Sequence, residues 1–82
     1  MTKEEIFNKV KIIVAEKLAI DDEDSIKLGS SFVNDLRADS MDLLDLVNSF
    51  EEEFGISIPD EKGRTFETVE QAVDFLSTLI NK

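Results

Sequence analysis

Ser40 is the residue of this sequence whose surroundings most directly suggest chemistry, because it lies between two aspartates in the segment Asp39-Ser40-Met41-Asp42. Its hydroxyl could cap a helix, attack a substrate or receive a group from another enzyme. As a nucleophile it would need an adjacent base, usually histidine, and the sequence contains none. Surface carboxylates are weak bases at neutral pH. Glycine-rich phosphate loops and the Gly-x-Ser-x-Gly motif are also absent, so a self-sufficient hydrolase is disfavoured.

The helix that begins near Ser40 can be capped by either Asp39 or Ser40, since both residue types are preferred at this position. Asp39 and Asp42 also complement the positive end of the helix dipole. If Asp39 is the cap, Ser40 becomes the first helical residue and its hydroxyl lies at the solvent edge. A phosphoester at that hydroxyl would lie near free backbone N–H groups. The position therefore suits an attached anionic group without requiring one.

Apolar residues recur at helical spacing in three long segments of the chain. We predict a first helix over Met1–Leu18, a second over Ser40–Phe54 and a last one over Val69–Asn81. Pro59 can open a short helix between the last two, because its missing N–H needs no partner there. No segment alternates with period two, so no strand is expected. The prediction is one all-α domain over residues 1–82, a small four-helix bundle of three main helices and one short helix.

The ends of these helices carry recognisable signals. Thr2 with Glu5, and Thr68 with Gln71, fit the capping box at a helix start. Gly55 follows the second helix, where a left-handed residue is expected. The long connection between the first two helices contains four apolar residues that we expect to pin it to the core, namely Ile26, Leu28, Phe32 and Val33. Connections of this length in compact domains are often functional.

The charge of the chain is strongly negative and uneven. The net charge is −10, and the segment from Asp35 to Glu61 holds nine acidic residues against Arg37 alone, which accounts for −8. Phosphates of nucleic acid and anionic membrane surfaces would repel such a chain, whereas partners with basic patches are favoured. Charge runs usually form a solvated helix face, and a docking surface for a cationic partner is the alternative.

Several other classes of function are disfavoured by composition. The chain has no cysteine, so any thiol chemistry must come from something added to it. The acidic run at residues 21–25 fails the calcium-loop template, because Lys27 and Val33 occupy the positions that need glycine and glutamate. We therefore expect no metal site. No signal peptide and no transmembrane stretch are recognised, so a cytoplasmic location without membrane insertion is expected. The chain is also expected to be a monomer.

The central part of the chain resembles the signature of acyl carrier proteins. The segment DLRADSMDLLDLVNSFEEEFGISIPDE carries Asp39-Ser40-Met41-Asp42 where that family has Asp-Ser-Leu-Asp. SSFVNDL upstream and TVEQAVDFL downstream are also similar to the family pattern, so the resemblance covers nearly the whole chain. The four-residue motif alone is weak, whereas its combination with length, charge and flanking helices is specific.

The resemblance implies a carrier and not an enzyme. It implies that a separate holo-carrier transferase attaches 4′-phosphopantetheine from coenzyme A to Ser40, and that the arm's thiol carries acyl thioesters to fatty acid synthesis enzymes. Partners with basic patches would contact Asp39, Met41, Asp42, Leu44, Asp45, Glu51 and Glu52. A pocket for the acyl chain would be lined by Leu46, Phe50, Ile58, Phe66, Ala72 and Leu76. Plain core packing is the simpler interpretation of these last six.

The sequence departs from the family pattern at a few positions. Arg37 stands where glycine is usual, Met41 replaces leucine, and Asn48 falls where many relatives have an apolar residue. Phe50 and Phe66 are bulky for pocket residues. A polyketide, peptidyl or D-alanyl carrier is an alternative within the carrier class. An unmodified acidic helical adaptor, with Ser40 only as a cap, is the alternative outside it.

Overall fold

The computed structural model describes residues 1–81, and four α-helices follow one another along this range. They are α1 (Lys3–Lys17), α2 (Ser40–Phe54), α3 (Asp60–Gly63) and α4 (Val69–Ile80). A short 3-10 turn at Glu23–Ser25 lies in the connection between α1 and α2. The extended pairing described in residues 1–81 is one isolated antiparallel bridge between Ser31 and Thr68. The predicted all-α bundle with one short helix is confirmed.

The hydrophobic core lies between α1 and the helices on either side of it. Helix α1 packs against both α2 and α4, and α3 packs against α2. The buried residues of the three long helices are Ile6, Val10, Val14, Leu46, Val47, Phe50, Val69, Ala72, Val73 and Leu76. All ten belong to the apolar stripes that the helical spacing predicts, and no polar or charged side chain is buried among residues 1–81. Burial of these stripes is what orients α2.

The connection between α1 and α2 is pinned by two of the four apolar residues expected to do so. Ile26 and Phe32 are each 1% exposed, whereas Leu28 is 39% and Val33 54% exposed. The expectation was therefore wrong for Leu28 and Val33. Phe32 and Val33 are neighbours at a turn in which the Asp35 N–H donates to the Ser31 carbonyl, so only one of them points inward.

The two predicted capping boxes differ in the structure. At α1 the Glu5 N–H donates to the Thr2 hydroxyl at 3.2 Å, and the Thr2 N–H donates to the Glu5 carboxylate at 3.0 Å. The bond from the Thr2 N–H lowers the pKa of Glu5. At α4 the Gln71 N–H donates to the Thr68 hydroxyl, but the side-chain Oε1 of Gln71 accepts from the Glu67 N–H at 2.7 Å. The reciprocal half of that second box is therefore shifted by one residue.

Among residues 1–81, three have backbone conformations in the left-handed region. Gly55 ends α2 with φ 65°, as predicted. Ala19 has φ 56° just after α1, where the Ile20 N–H donates a hydrogen bond to the Ala15 carbonyl at 2.8 Å. Arg37, three residues before Ser40, has φ 60°. A side chain in this region costs about 1–2 kcal/mol, so glycine is the residue that suits positions 19 and 37.

We expect Ala19→Gly and Arg37→Gly each to raise the free energy of unfolding by about 0.5–1 kcal/mol. The relief of left-handed strain exceeds the extra entropy that glycine adds to the unfolded chain. Thermal and urea unfolding would measure the change. The matched control is Ala15→Gly within α1, which should lower stability by about 1 kcal/mol. A loss at position 19 as large as that at position 15 would contradict the expectation.

Candidate functional site

Asp39, and not Ser40, is the N-cap of α2. The Asp42 N–H donates to Asp39 Oδ1 at 2.9 Å, and the Asp39 N–H donates to Asp42 Oδ2 at 3.1 Å. The two aspartates therefore form a reciprocal capping box. Of the two caps that the sequence allowed, the structure selects the one that leaves Ser40 as the first helical residue.

The Ser40 side chain is exposed and has no structural task. Its hydroxyl forms no hydrogen bond with any other group in residues 1–81. The backbone N–H groups of Ser40 and Met41 also have no acceptor within that range, as expected for the first turn of a helix. The interpretation of Ser40 as a cap is therefore wrong. Its hydroxyl lies free at the positive end of the helix dipole.

The chain that leads into α2 is fixed to the start of α4. The Phe32 N–H donates to the Glu67 carbonyl and the Val69 N–H donates to the Ser30 carbonyl, both at 3.0 Å. The Ala38 N–H in turn donates a hydrogen bond to the Phe32 carbonyl at 2.8 Å, and Ala38 is 2% exposed. The residue just before the cap is thus buried and bonded. The Ser40 hydroxyl, two positions later, therefore follows a segment that is held by hydrogen bonds and by the burial of Ala38.

A surface cleft of about 220 Å³ adjoins Ser40 and is lined by Ser40, Leu43, Leu44 and Arg64. Arg64 follows α3 directly and is exposed. The sequence prediction did not include Arg64 in the site. Arg64 is far from Ser40 along the chain, so the sequence did not indicate that the two residues are close in space. The only signal in the sequence was a basic residue shortly after an acidic stretch.

The outward face of α2 presents a row of exposed residues spaced at i, i+4, i+7 and i+11. These are Met41, Asp45, Asn48 and Glu52. Met41 is 76% exposed, which is unusual for so large an apolar side chain. Three of the four are in the predicted partner-contact set, and Asn48 is the position noted as a departure. Leu44 is half-buried and belongs to the cleft beside Ser40, away from the centre of this row.

Part of the acidic run has contacts within the fold. Glu51 is half-buried, and its Oε2 accepts a hydrogen bond from the Ile58 N–H at 3.0 Å. Glu53 pairs with Lys9 of α1 at 3.0 Å. Glu51 therefore fastens the connection between α2 and α3, a role that its place in the sequence did not reveal. Glu52 remains exposed beside it.

The six residues predicted to line an acyl pocket all lie in the packed core. The exposed fraction of each is 4% or less. The six are Leu46, Phe50, Ile58, Phe66, Ala72 and Leu76. Phe66 also borders a surface cleft of about 340 Å³, where its ring lies 5.8 Å from that of Phe75. Core packing accounts for all six, and their contact with an acyl chain stays a prediction.

Within residues 1–81 no group of three or more histidine, cysteine, aspartate or glutamate side chains is arranged to hold a metal ion. In the same range, no helix has both the length and the apolar character needed to cross a membrane. What the site does offer is a free hydroxyl, an adjoining cleft and a charged surface around them.

The fold and this site together define a class, that of small helical domains which expose a serine at the start of a helix. A family model described as a phosphopantetheine attachment site matches residues 8–76. The chain is 49% identical over 81 residues to a protein named acyl carrier protein from Petrotoga mobilis, covering 99% of this chain and 94% of the relative. Proteins of the same name from two strains of Treponema pallidum are 49% identical over 77 residues, covering 94% of this chain and 97% of each relative.

The chain therefore belongs to the acyl carrier protein family. Members of this family are carriers and not catalysts, and their prosthetic group is 4′-phosphopantetheine.

Proposed function

We propose that Ser40 bears the 4′-phosphopantetheine and that residues 1–82 act as one carrier domain delivering acyl thioesters to fatty acid synthesis enzymes. The observation that supports this most strongly is the unengaged Ser40 hydroxyl. Because Asp39 caps α2, the exposed hydroxyl is left for chemistry that another protein performs. Ser40 Oγ forms the new bond to phosphorus and gives its proton to a base on the transferase. The phosphoanhydride of coenzyme A breaks, and adenosine 3′,5′-bisphosphate leaves.

The residues around Ser40 fit this prosthetic group. The N–H groups of Ser40 and Met41 point toward the helix start, where a phosphodiester is electrostatically favoured. Leu43 and Leu44 line the adjoining cleft and offer apolar contact, and Arg64 supplies a positive charge. The bound group contributes a thiol, which the chain itself lacks. Its flexible length raises the local concentration of the acyl group at any enzyme on which the carrier docks.

Docking on partners with basic patches is the second part of the proposal. Asp39, Asp42, Asp45 and Glu52 would steer such partners, and Met41 at the start of the outward row would add apolar contact. Leu44 would contribute at the rim of the cleft. Glu51 would contribute charge while its carboxylate remains bonded to the Ile58 N–H. Brief encounters of this kind suit a monomeric cytoplasmic carrier that visits many enzymes.

The acyl pocket is the third part. For the six core residues to shelter a chain, side chains around Leu46, Phe50 and Phe66 would have to move apart, because all are packed. The bulk of the two phenylalanines favours short or partly exposed chains.

Loading at Ser40 is tested by intact mass after incubation with coenzyme A and a broad-specificity carrier transferase. We expect the wild-type chain to gain one phosphopantetheine and Ser40→Ala to gain none. Ser57→Ala, which removes another exposed hydroxyl, is the control and should load fully. Failure of the wild-type chain to load beside a competent reference carrier would overturn the proposal. Thioesters on protein from its own cells should be fatty acyl, and aminoacyl groups would contradict the pathway.

A further inference from the structure

We infer that Arg64 binds the phosphodiester at Ser40 and holds the base of the prosthetic arm in the cleft over Leu43 and Leu44. This inference rests on the proposed attachment at Ser40. Its starting observation is that Arg64 and Ser40 line the same cleft of about 220 Å³. Arg64 follows α3 and Ser40 begins α2, so the fold brings a cation to an exposed hydroxyl that has no structural task.

The guanidinium group of Arg64 has no partner in residues 1–81. The ion pairs in that range use Lys3, Lys9 and Lys11, and the hydrogen bond that Arg64 makes is from its backbone N–H to the Asp60 carbonyl. Helix α3, which Arg64 directly follows, contains the carboxylates of Asp60 and Glu61, yet none lies within ion-pair distance of Arg64. Its charge is therefore available to an anion that arrives later.

The position of Arg64 is fixed by its neighbour Gly63. Gly63 is buried, and a Cβ added there would lie 2.7 Å from Cγ2 of Val47 on α2. Helix α3 thus lies with its backbone directly on α2. Arg64, the next residue, is held close to the first turns of α2 in consequence.

The charges around Ser40 are the reason that a contact between Arg64 and the phosphodiester would be stabilising. A phosphodiester at Ser40 would be flanked in sequence by the carboxylates of Asp39 and Asp42, and like charges repel. Guanidinium presents paired N–H donors that match the oxygens of a phosphate, so Arg64 would offset this repulsion and fix a direction for the arm. The cleft has the volume of roughly seven water molecules, which admits the phosphate and the first atoms of the arm. The thiol end would remain outside.

The contact is tested by comparing apo and loaded forms of the wild type, Arg64→Gln and Arg37→Gln, after intact mass has confirmed loading of each. Arg37 is the matched control, because it is an exposed arginine near Ser40 that does not line the cleft. In the wild type, loading should shift the side-chain Nε–Hε resonance of Arg64 and leave that of Arg37 unmoved. Loading should also raise the melting temperature by roughly 3 °C at low salt, with less effect at high salt.

We expect Arg64→Gln to lose most of that loading-dependent increment and Arg37→Gln to keep it. An unmoved Arg64 resonance, or an increment equal in Arg64→Gln and wild type, would overturn the inference while leaving attachment at Ser40 intact. An equal loss in both variants would also overturn it, because general charge and not the cleft would then be responsible. If the wild type gains no mass, the proposed function itself has failed.

Discussion

Reversing two charges on the outward row of α2, Asp45→Lys with Glu52→Lys, is expected to lower kcat/KM for loading by the transferase about tenfold or more at low salt. Both side chains are exposed and lie on the face that also presents Met41. A partner with a basic patch would lose attraction and meet repulsion at the same place. Rates measured from about 10 mM to about 1 M salt should converge, since the Debye length falls roughly from 30 to 3 Å.

The matched control is Asp21→Lys with Glu23→Lys, which changes the net charge equally at exposed positions outside α2. It should lower the rate much less. Thermal unfolding of both double variants should show that neither is unfolded under assay conditions. Equal effects of the two pairs would mean that overall charge, and not the α2 face, governs the encounter.

Gly63→Ala is expected to lower the free energy of unfolding by about 1–2 kcal/mol and the melting temperature by roughly 5–10 °C. The new methyl would meet Cγ2 of Val47 at 2.7 Å and its Cγ1 at 3.4 Å. Val47 is 3% exposed and branched at Cβ, so it cannot turn aside easily. Alanine's better helix propensity returns up to about 1 kcal/mol, which is why the net loss is not larger. Urea unfolding measures it.

The contact itself is tested by combining Gly63→Ala with Val47→Ala. The second change alone costs stability through a cavity, but in its presence the alanine at 63 should be neutral or favourable. Gly29→Ala is the control, because no atom lies within 4 Å of a Cβ added there. A variant at 63 as harmless as the one at 29 would show that α3 does not rest on α2 as described.

The elements of this fold were predictable because each long helix has a continuous apolar stripe and a recognisable end. The residues that point inward recur as the 3.6-residue period requires, and they are Leu46, Val47 and Phe50 on α2 and Val69, Ala72, Val73 and Leu76 on α4. Gly55 adopts the left-handed conformation expected of it. The motif around Ser40 also predicted a helix start with an aspartate cap as one of two choices.

What the sequence did not reveal depends on contacts between distant segments. The bond from Ile58 to Glu51 and the proximity of Arg64 to Ser40 both arise only when α3 folds back on α2. Periodicity describes one helix at a time, so it does not report such pairs. Val33 is exposed because the chain turns at this point and directs only Phe32 inward. The sequence does not show which of two adjacent apolar residues in a turn faces the core.

The reciprocal bonds between Asp39 and Asp42 have one further consequence. Each carboxylate gives one oxygen to the backbone, at 2.9 Å and 3.1 Å, and keeps the other for solvent. A partner protein that bound here would thus contact two anionic side chains whose rotamers are already fixed by these hydrogen bonds. Ordering a rotamer-rich side chain at an interface costs about 0.5–1.5 kcal/mol, and aspartates that are already ordered spare association a loss at the lower end of that range. Preordered side chains would therefore raise the affinity of a partner at this edge, whereas their charge would raise the rate of encounter.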